Sequence, residues 1–120
     1  MLKEALLCLA LNIYHEANTE PLAGKYAVGY VTLNRASSGI YPDNVCSVVY
    51  QSGQFSWTIK PKKPYGAGWE QAKEIASNLL YSTPSDPTNG ALYFHNKEVR
   101  PKWSYRLQKT AVIGNHTFYK

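Results

Sequence analysis

The stretch that decides the fold runs from Leu2 to Ala17, LKEALLCLALNIYHEA. At about 100° per residue, Leu2, Ala5, Leu6, Leu9 and Ile13 fall on one arc, so the segment reads as a helix packed against a core. Lys3 and Glu4 point away from that arc. Glu16 lies on its edge, one turn beyond Asn12 and Ile13, just before the helix runs out. A carboxyl group among apolar neighbours resists ionising, because low-dielectric surroundings penalise the charged form. A general acid is kept protonated near neutral pH in this way. The plainer reading is a fraying helix end and a solvated carboxylate.

Working outward, Thr19, Glu20 and Pro21 open a second helix, with Pro21 at its first position and Glu20 favourable beside the helix dipole. It runs LAGKYAVGYVTLNRAS, with Ala23, Tyr26, Ala27, Tyr30, Val31 and Asn34 along one stripe. Gly24 and Gly29 permit close helix contact, and Gly39 ends the helix. Asn34 reads as a buried asparagine cross-linking helices. A short helix follows around Asp43–Tyr50, and then GQFSW, too polar and short for a helix. A Pro- and Gly-rich loop at Pro61–Gly68 precedes a fourth helix, from about Ala67 to Tyr81. After the turn segment SDPTNG the periodicity changes to two. ALYFHN reads as a strand and TAVIGNHTFYK as a hairpin turning at Gly114-Asn115. The fold class is therefore α+β, helices first and a small antiparallel sheet last.

The 120 residues suit one domain, residues 1–120, and 44% hydrophobic with 18% charged residues describes an ordinary globular chain. Ten tyrosines and three tryptophans suit a groove that stacks against sugar rings or bases. They equally suit a core boundary, with rings buried and hydroxyls wet. The net charge of +5 favours polyanionic partners. The charge is spread, however, and Lys60, Lys62 and Lys63 read as a solvated loop. Cys8 and Cys46 are too few for a disulfide framework or a metal knuckle; they read as buried free thiols, with a single bridge left open. The N-terminus lacks a basic region and a small-residue cleavage site, so no signal peptide is expected. No apolar run reaches membrane-spanning length, so no membrane insertion is expected either.

His15-Glu16 begins like a zinc-binding HExxH helix, but Thr19 stands where the second histidine belongs. The remaining histidines, His95 and His116, are scattered, and neither a metal nor a cofactor is expected. No Gly-rich phosphate loop and no Ser or Cys nucleophile signature is present. Glycosidic bond cleavage is the reaction most naturally run by a hydrophobically placed glutamate beside an aromatic groove.

The stretch YHEANTEPLAGKYAVGYVTLNR resembles the signature of the cell-wall-hydrolase family that includes the spore-cortex-lytic enzymes. In that family an opening Y-G-E-A-R-G-E is followed by a helix ending in V-x-L-N-R. VCSVVYQSGQFSW, DPTNGALYFHN and IGNHTFYK continue the pattern in order, so the resemblance covers nearly all of the chain. It implies a lysozyme-like fold and cleavage of the MurNAc-GlcNAc β-1,4 bond of peptidoglycan by a lytic transglycosylase, leaving 1,6-anhydro ends. It also puts the catalytic acid at Glu16. His15, Asn18 and Thr19 depart from the family's glycine, arginine and glycine, while both glutamates are kept.

Seven further residues are candidates for the substrate groove. Glu20 is the nearest second carboxylate, with the helix start as its plainer job. In GQFSW, Gln54 and Ser56 suit hydrogen bonds to sugar and Trp57 suits stacking, while Phe55 reads as core. In the strand, Tyr93 and His95 share the face away from Phe94 and point toward the groove. His116 follows the hairpin turn. Peptidoglycan glycan strands are the expected partner of a monomeric protein, and nucleic acid is not, since most aromatics stand beside Gly, Asn and Ser rather than basic residues. The alternatives are a muramidase that adds water and a wall-binding module without activity. A protein made in the cytoplasm and acting on the bacterial wall, as a phage lysin does, fits the lack of a leader.

Overall fold

Helix α1 spans Leu2–Ala17; on its expected arc Leu9 and Ile13 are fully buried and Ala5 and Leu6 half-buried, and Ala10 and Asn12 beside the arc are buried as well. The structure, a computed structural model, describes residues 2–120; the expected place of the Leu2 side chain on the apolar arc lies outside the described residues. Helix α2 spans Leu22–Ser37, α3 Val45–Val49 and α4 Gly66–Tyr81. Strands β1 (Tyr93–Asn96), β2 (Lys109–Ile113) and β3 (His116–Tyr119) form one antiparallel sheet in the order β1-β3-β2. Single 3-10 turns lie at Ser56–Thr58 and Lys102–Tyr105. The hairpin turns at Gly114-Asn115 as expected, with Gly114 in the left-handed region at φ 60°.

Helix α2 is the central element because it is buried on opposite sides. One side meets a cluster of Leu9, Ile13, Tyr30, Val49, Ile75 and Leu79, drawn from all four helices. The other meets Ala17, Ala91 and Phe118 through Ala27, Val28 and Val31. Each buried Val, Leu, Ile or Phe side chain among them contributes about 1.5–3 kcal/mol relative to exposure. The single expected stripe is therefore corrected: Ala23 is exposed, whereas Val28 and Thr32 are buried. A side chain on Gly29 would run into Leu79 and Ile13, so the close helix approach expected there is real. Gly39, at φ 84°, stops the helix just past its C-cap.

Two polar expectations change. Asn12 is the buried asparagine that joins helices, its Nδ2 donating to Thr32 Oγ1 at 3.2 Å. Asn34 instead donates to Asp86 Oδ2 at 2.9 Å and to the Ala91 carbonyl at 3.0 Å, tying α2 to the turn before β1. Cys8 and Cys46 are joined in a disulfide, with Cα atoms 5.3 Å apart, so they are not free thiols. The Asn44 side chain starts α3 by accepting from Ser47 N–H, which directs Cys46 back toward α1.

The bridge closes a long loop, and removing it with Cys8→Ser and Cys46→Ser is expected to lower unfolding free energy by about 2–4 kcal/mol. Urea denaturation checks this. Equal stability of oxidised, reduced and double-serine protein would contradict it.

Candidate functional site

The end of α1, the C-terminal half of α2, the loop at residues 51–59 and the edge strand β1 enclose a cleft of about 670 Å³. Its size falls among ligand-binding pockets, which run from about 300 to 1,000 Å³. Glu16 reaches it from the last turn of α1, beside the fully buried Ala17. Its side chain is half-buried, and burial alone pushes its carboxyl above the usual range. Among the described residues, no cation or N–H offsets that rise. Glu16 is also the one carboxylic acid among the described residues that line the cleft.

Glu20 lies elsewhere and is in the opposite electrostatic state. Its Oε1 accepts from Asn115 N–H at 2.7 Å and its Oε2 from Asn115 Nδ2 at 2.9 Å. His116 Nδ1 stands 3.2 Å from Oε1. Burial pushes the Glu20 carboxyl upward, but the two Asn115 donors and the nearby His116 outweigh it and hold it below the usual range. Glu20 does not line the cleft, and Pro21 rather than Glu20 occupies the N-cap of α2. The expected place at a helix start gives way to a clamp on the hairpin turn, because its acceptors have stronger partners there. A Cβ on Gly114 would stand 2.6 Å from Glu20 Oε1, so the turn needs glycine for space as well as for φ.

The loop carrying GQFSW divides. Gln54 lines the cleft and accepts from the Arg35 guanidinium at 3.2 Å. Ser56 is exposed on a smaller recess of about 290 Å³ that Glu16 and Gln54 also line. Phe55 is buried, as its type predicts. Trp57 turns away from the cleft: its indole N–H donates to Asn12 Oδ1 at 3.0 Å, and its ring stacks on His15 at 4.5 Å. The single N–H of its indole is thereby drawn to a buried acceptor in the helical core. His15 shares the cleft with Glu16, and burial lowers its pKa, which keeps the imidazole neutral at neutral pH.

The sequence reading matches Arg35 to the end of the V-x-L-N-R pattern but gives it no role in the groove. It is 5% exposed, donates through Nε to the Leu92 carbonyl at 2.7 Å, and lies over the rings of Tyr41, Phe55 and Tyr93. It thereby joins α2, the 51–59 loop and β1 around the cleft. A signal was available, since Val28, Val31 and Arg35 share one helical face.

Tyr93 and His95 both line the cleft, as strand alternation suggests, but so do Phe94 and Asn96. Strand β1 is the sheet's edge, so residues from both of its faces border the opening. Both ring nitrogens of His95 are occupied. Nδ1 lies 2.8 Å from the Asn96 carbonyl and Nε2 2.8 Å from the Tyr119 hydroxyl, which assigns the proton to Nδ1. His95 therefore offers the cleft a ring face, extended by Trp103 and Tyr93 with centroids 5.6–5.7 Å apart. His116 is buried against Glu20 and closes the cleft wall. Among the described residues, no three His, Cys, Asp or Glu side chains group to hold a metal ion.

A family model described as Cell Wall Hydrolase matches residues 19–119, beginning just after Glu16 and taking in Glu20. The spore cortex-lytic enzyme of Halalkalibacterium halodurans is 32% identical over 111 residues, 92% of this chain and 33% of that protein. That of Bacillus cereus is 31% identical over 113 residues, 93% of this chain and 42% of that protein. The chain thus spans well under half the length of the curated relatives it matches. The catalytic domain of Bacillus cereus SleB superposes with TM-score 0.84 at 29% identity, covering 98% of this chain and 91% of that one. The catalytic domain of the germination-specific lytic transglycosylase SleB from Bacillus anthracis gives 0.82 at 28% identity, with 98% and 95% covered. The helical part with its small antiparallel sheet is the fold that the α+β reading expects.

The opposite states of the two glutamates are measurable. Glu16 has a raised folded-state pKa, so its stabilising contribution is present in acid and lost as pH rises through that pKa. Glu16→Gln is expected to melt above wild type at about pH 8 and to lose that advantage by about pH 4. Glu20 has a depressed pKa and stabilises at neutral pH, losing this as pH falls through the folded value. Glu20→Gln is expected to cost about 1.5–3 kcal/mol at neutral pH, shrinking in acid. Thermal melts across pH decide both; the same pH dependence for the two variants would contradict the assignment.

Proposed function

The chain belongs to the cell wall hydrolase family, and on that premise we propose that it cleaves the MurNAc-GlcNAc β-1,4 bond of peptidoglycan as a lytic transglycosylase with Glu16 as its acid and base. One observation carries the reading: Glu16 is the one carboxylic acid among the described residues lining the cleft. Hydrolysis with two carboxylates uses one to protonate the leaving oxygen and another to activate water or to attack. The second carboxylate nearby, Glu20, is committed to Asn115 and His116. A reaction that supplies its own nucleophile needs no second acid.

Glu16, whose carboxyl burial pushes above the usual range, gives its proton to the glycosidic oxygen as the bond from muramic C1 breaks. The N-acetyl oxygen of the same sugar shields the cationic C1, as in substrate-assisted glycosidases. Glu16, now a carboxylate, takes the proton from the C6 hydroxyl, and O6 bonds to C1. The product carries a 1,6-anhydro ring, Glu16 is reprotonated, and no water is consumed. Tyr93, Trp103 and the face of His95 supply the surface for sugar rings, and Gln54 and Ser56 supply polar contacts near the acid. His116 and Glu20 position the wall rather than react. The Cys8–Cys46 bridge supports a place of action outside the reducing cytosol, where disulfides persist.

Mass spectrometry of fragments released from purified peptidoglycan tests the reading. Anhydro-muramic ends are expected from wild type, with release by Glu16→Gln reduced by at least about a hundredfold. The alkaline side of the activity profile should follow ionisation of Glu16. Reducing muramic ends would establish hydrolysis instead, and no release from any wall would leave a binding module.

A further inference from the structure

A second cavity, of about 300 Å³, lies across the His95 and Tyr119 rings from the cleft and is not used by the chemistry above. It sits between the segment after β1 and strands β2 and β3. Its walls bring together Lys97, Arg100 and Lys109, and no carboxylate lines it among the described residues. None of the three cations is in an ion pair among the described residues, where the recorded pairs are Lys73–Glu70 and His116–Glu20. Ser104, Tyr105 and Thr117 line the same space, the Ser104 hydroxyl donating to the Pro101 carbonyl at 2.7 Å. Three unneutralised cations converging on a concave, hydroxyl-lined space form a recess for an anion with further hydrogen-bonding groups.

The two cavities share one wall. His95 lines both, and its ring stacks on Tyr119 at 5.3 Å, with Trp103 5.4 Å from Tyr119. A glycan lying on the aromatic faces of the cleft would therefore carry its substituents toward the basic recess. The muramic sugar bears a peptide stem, whose backbone amides and free carboxylates match cations beside hydroxyls. Resting on the reading of the cleft as a glycan-cleaving site, we propose that this recess holds the carboxylate-bearing peptide stem of the bound strand. Recognition of the stem would fix which sugar of the strand presents its C1 to Glu16.

The test separates binding from cleavage. Glycan strands are prepared with their stems and after enzymatic removal of the stems, both freed of wall phosphate polymers. Binding is measured with protein carrying Glu16→Gln. Adding Lys97→Gln, Arg100→Gln and Lys109→Gln is expected to weaken binding to stem-bearing strands about tenfold, the factor that three solvent-exposed charge contacts supply together. Binding to stripped strands should not change. Lys60→Gln, Lys62→Gln and Lys63→Gln, which remove the same charge elsewhere, should leave both unchanged. Equal weakening on both strands, no weakening, or the same effect from the Lys60, Lys62 and Lys63 set would overturn the proposal. So would a loss confined to an added phosphate polymer, which would assign the recess to wall phosphates. Cleavage of both strand types by wild type is scored separately, so failure of the glycosidase reading cannot be mistaken for failure of this one.

Discussion

The Glu20 carboxylate, buried and bonded to both donors of Asn115, is the contact on which the site's shape depends. It joins the bend between α1 and α2 to the turn between β2 and β3, 95 residues away in sequence. Without it, the sheet would meet the helices on this side through the apolar patch around Phe118. That patch sets a distance but not an orientation, because dispersion and hydrophobic contacts are non-directional. The bidentate bond supplies direction, and it carries His116 into the cleft wall. Arg35 does the same on the other side, tying α2 to the Leu92 carbonyl and to Gln54. The cleft is held open between these two polar ties.

The same clamp decides the electrostatics. Two glutamates one helical turn apart in sequence would repel if both faced one cavity, and each would raise the other's pKa. Here the chain bends after Ala17, so one carboxyl is left in the cleft wall and the other is enclosed by donors. Burial raises the first, and hydrogen bonds hold down the second against burial. Such a separation of environments leaves one carboxyl in the cleft wall above the usual range and the other below it.

Much of this was legible in the sequence because it rests on local rules. The arc through Leu9 and Ile13 predicts α1, Gly39 predicts the end of α2, and Gly114-Asn115 predicts the hairpin turn. The placement of Glu16 at the edge of an apolar arc follows from helical geometry alone. What the sequence did not disclose depends on partners far along the chain. Glu20 looks like a helix-start residue until Asn115 is brought beside it. The bridge between Cys8 and Cys46 requires α3 to pack on α1, which no spacing rule states. Trp57 reads as a sugar platform in GQFSW, but its indole N–H finds Asn12, and a buried donor takes the nearest acceptor. The helix-joining asparagine is Asn12 rather than Asn34, because α2 is buried on two sides rather than one. The basic recess is invisible as a motif, since Lys97, Arg100 and Lys109 meet only when β1 and β2 flank β3.

The most direct measurement is the pKa of the Glu16 side-chain carboxyl, followed by NMR with carbon-13 label at the glutamate carboxyls. It is expected above the ordinary glutamate range and to titrate alone, while Glu20 titrates below that range and reports the neighbouring His116. A Glu16 carboxyl that titrates in the ordinary range or below it would mean that the cleft does not hold it protonated, and would contradict the single-acid reading.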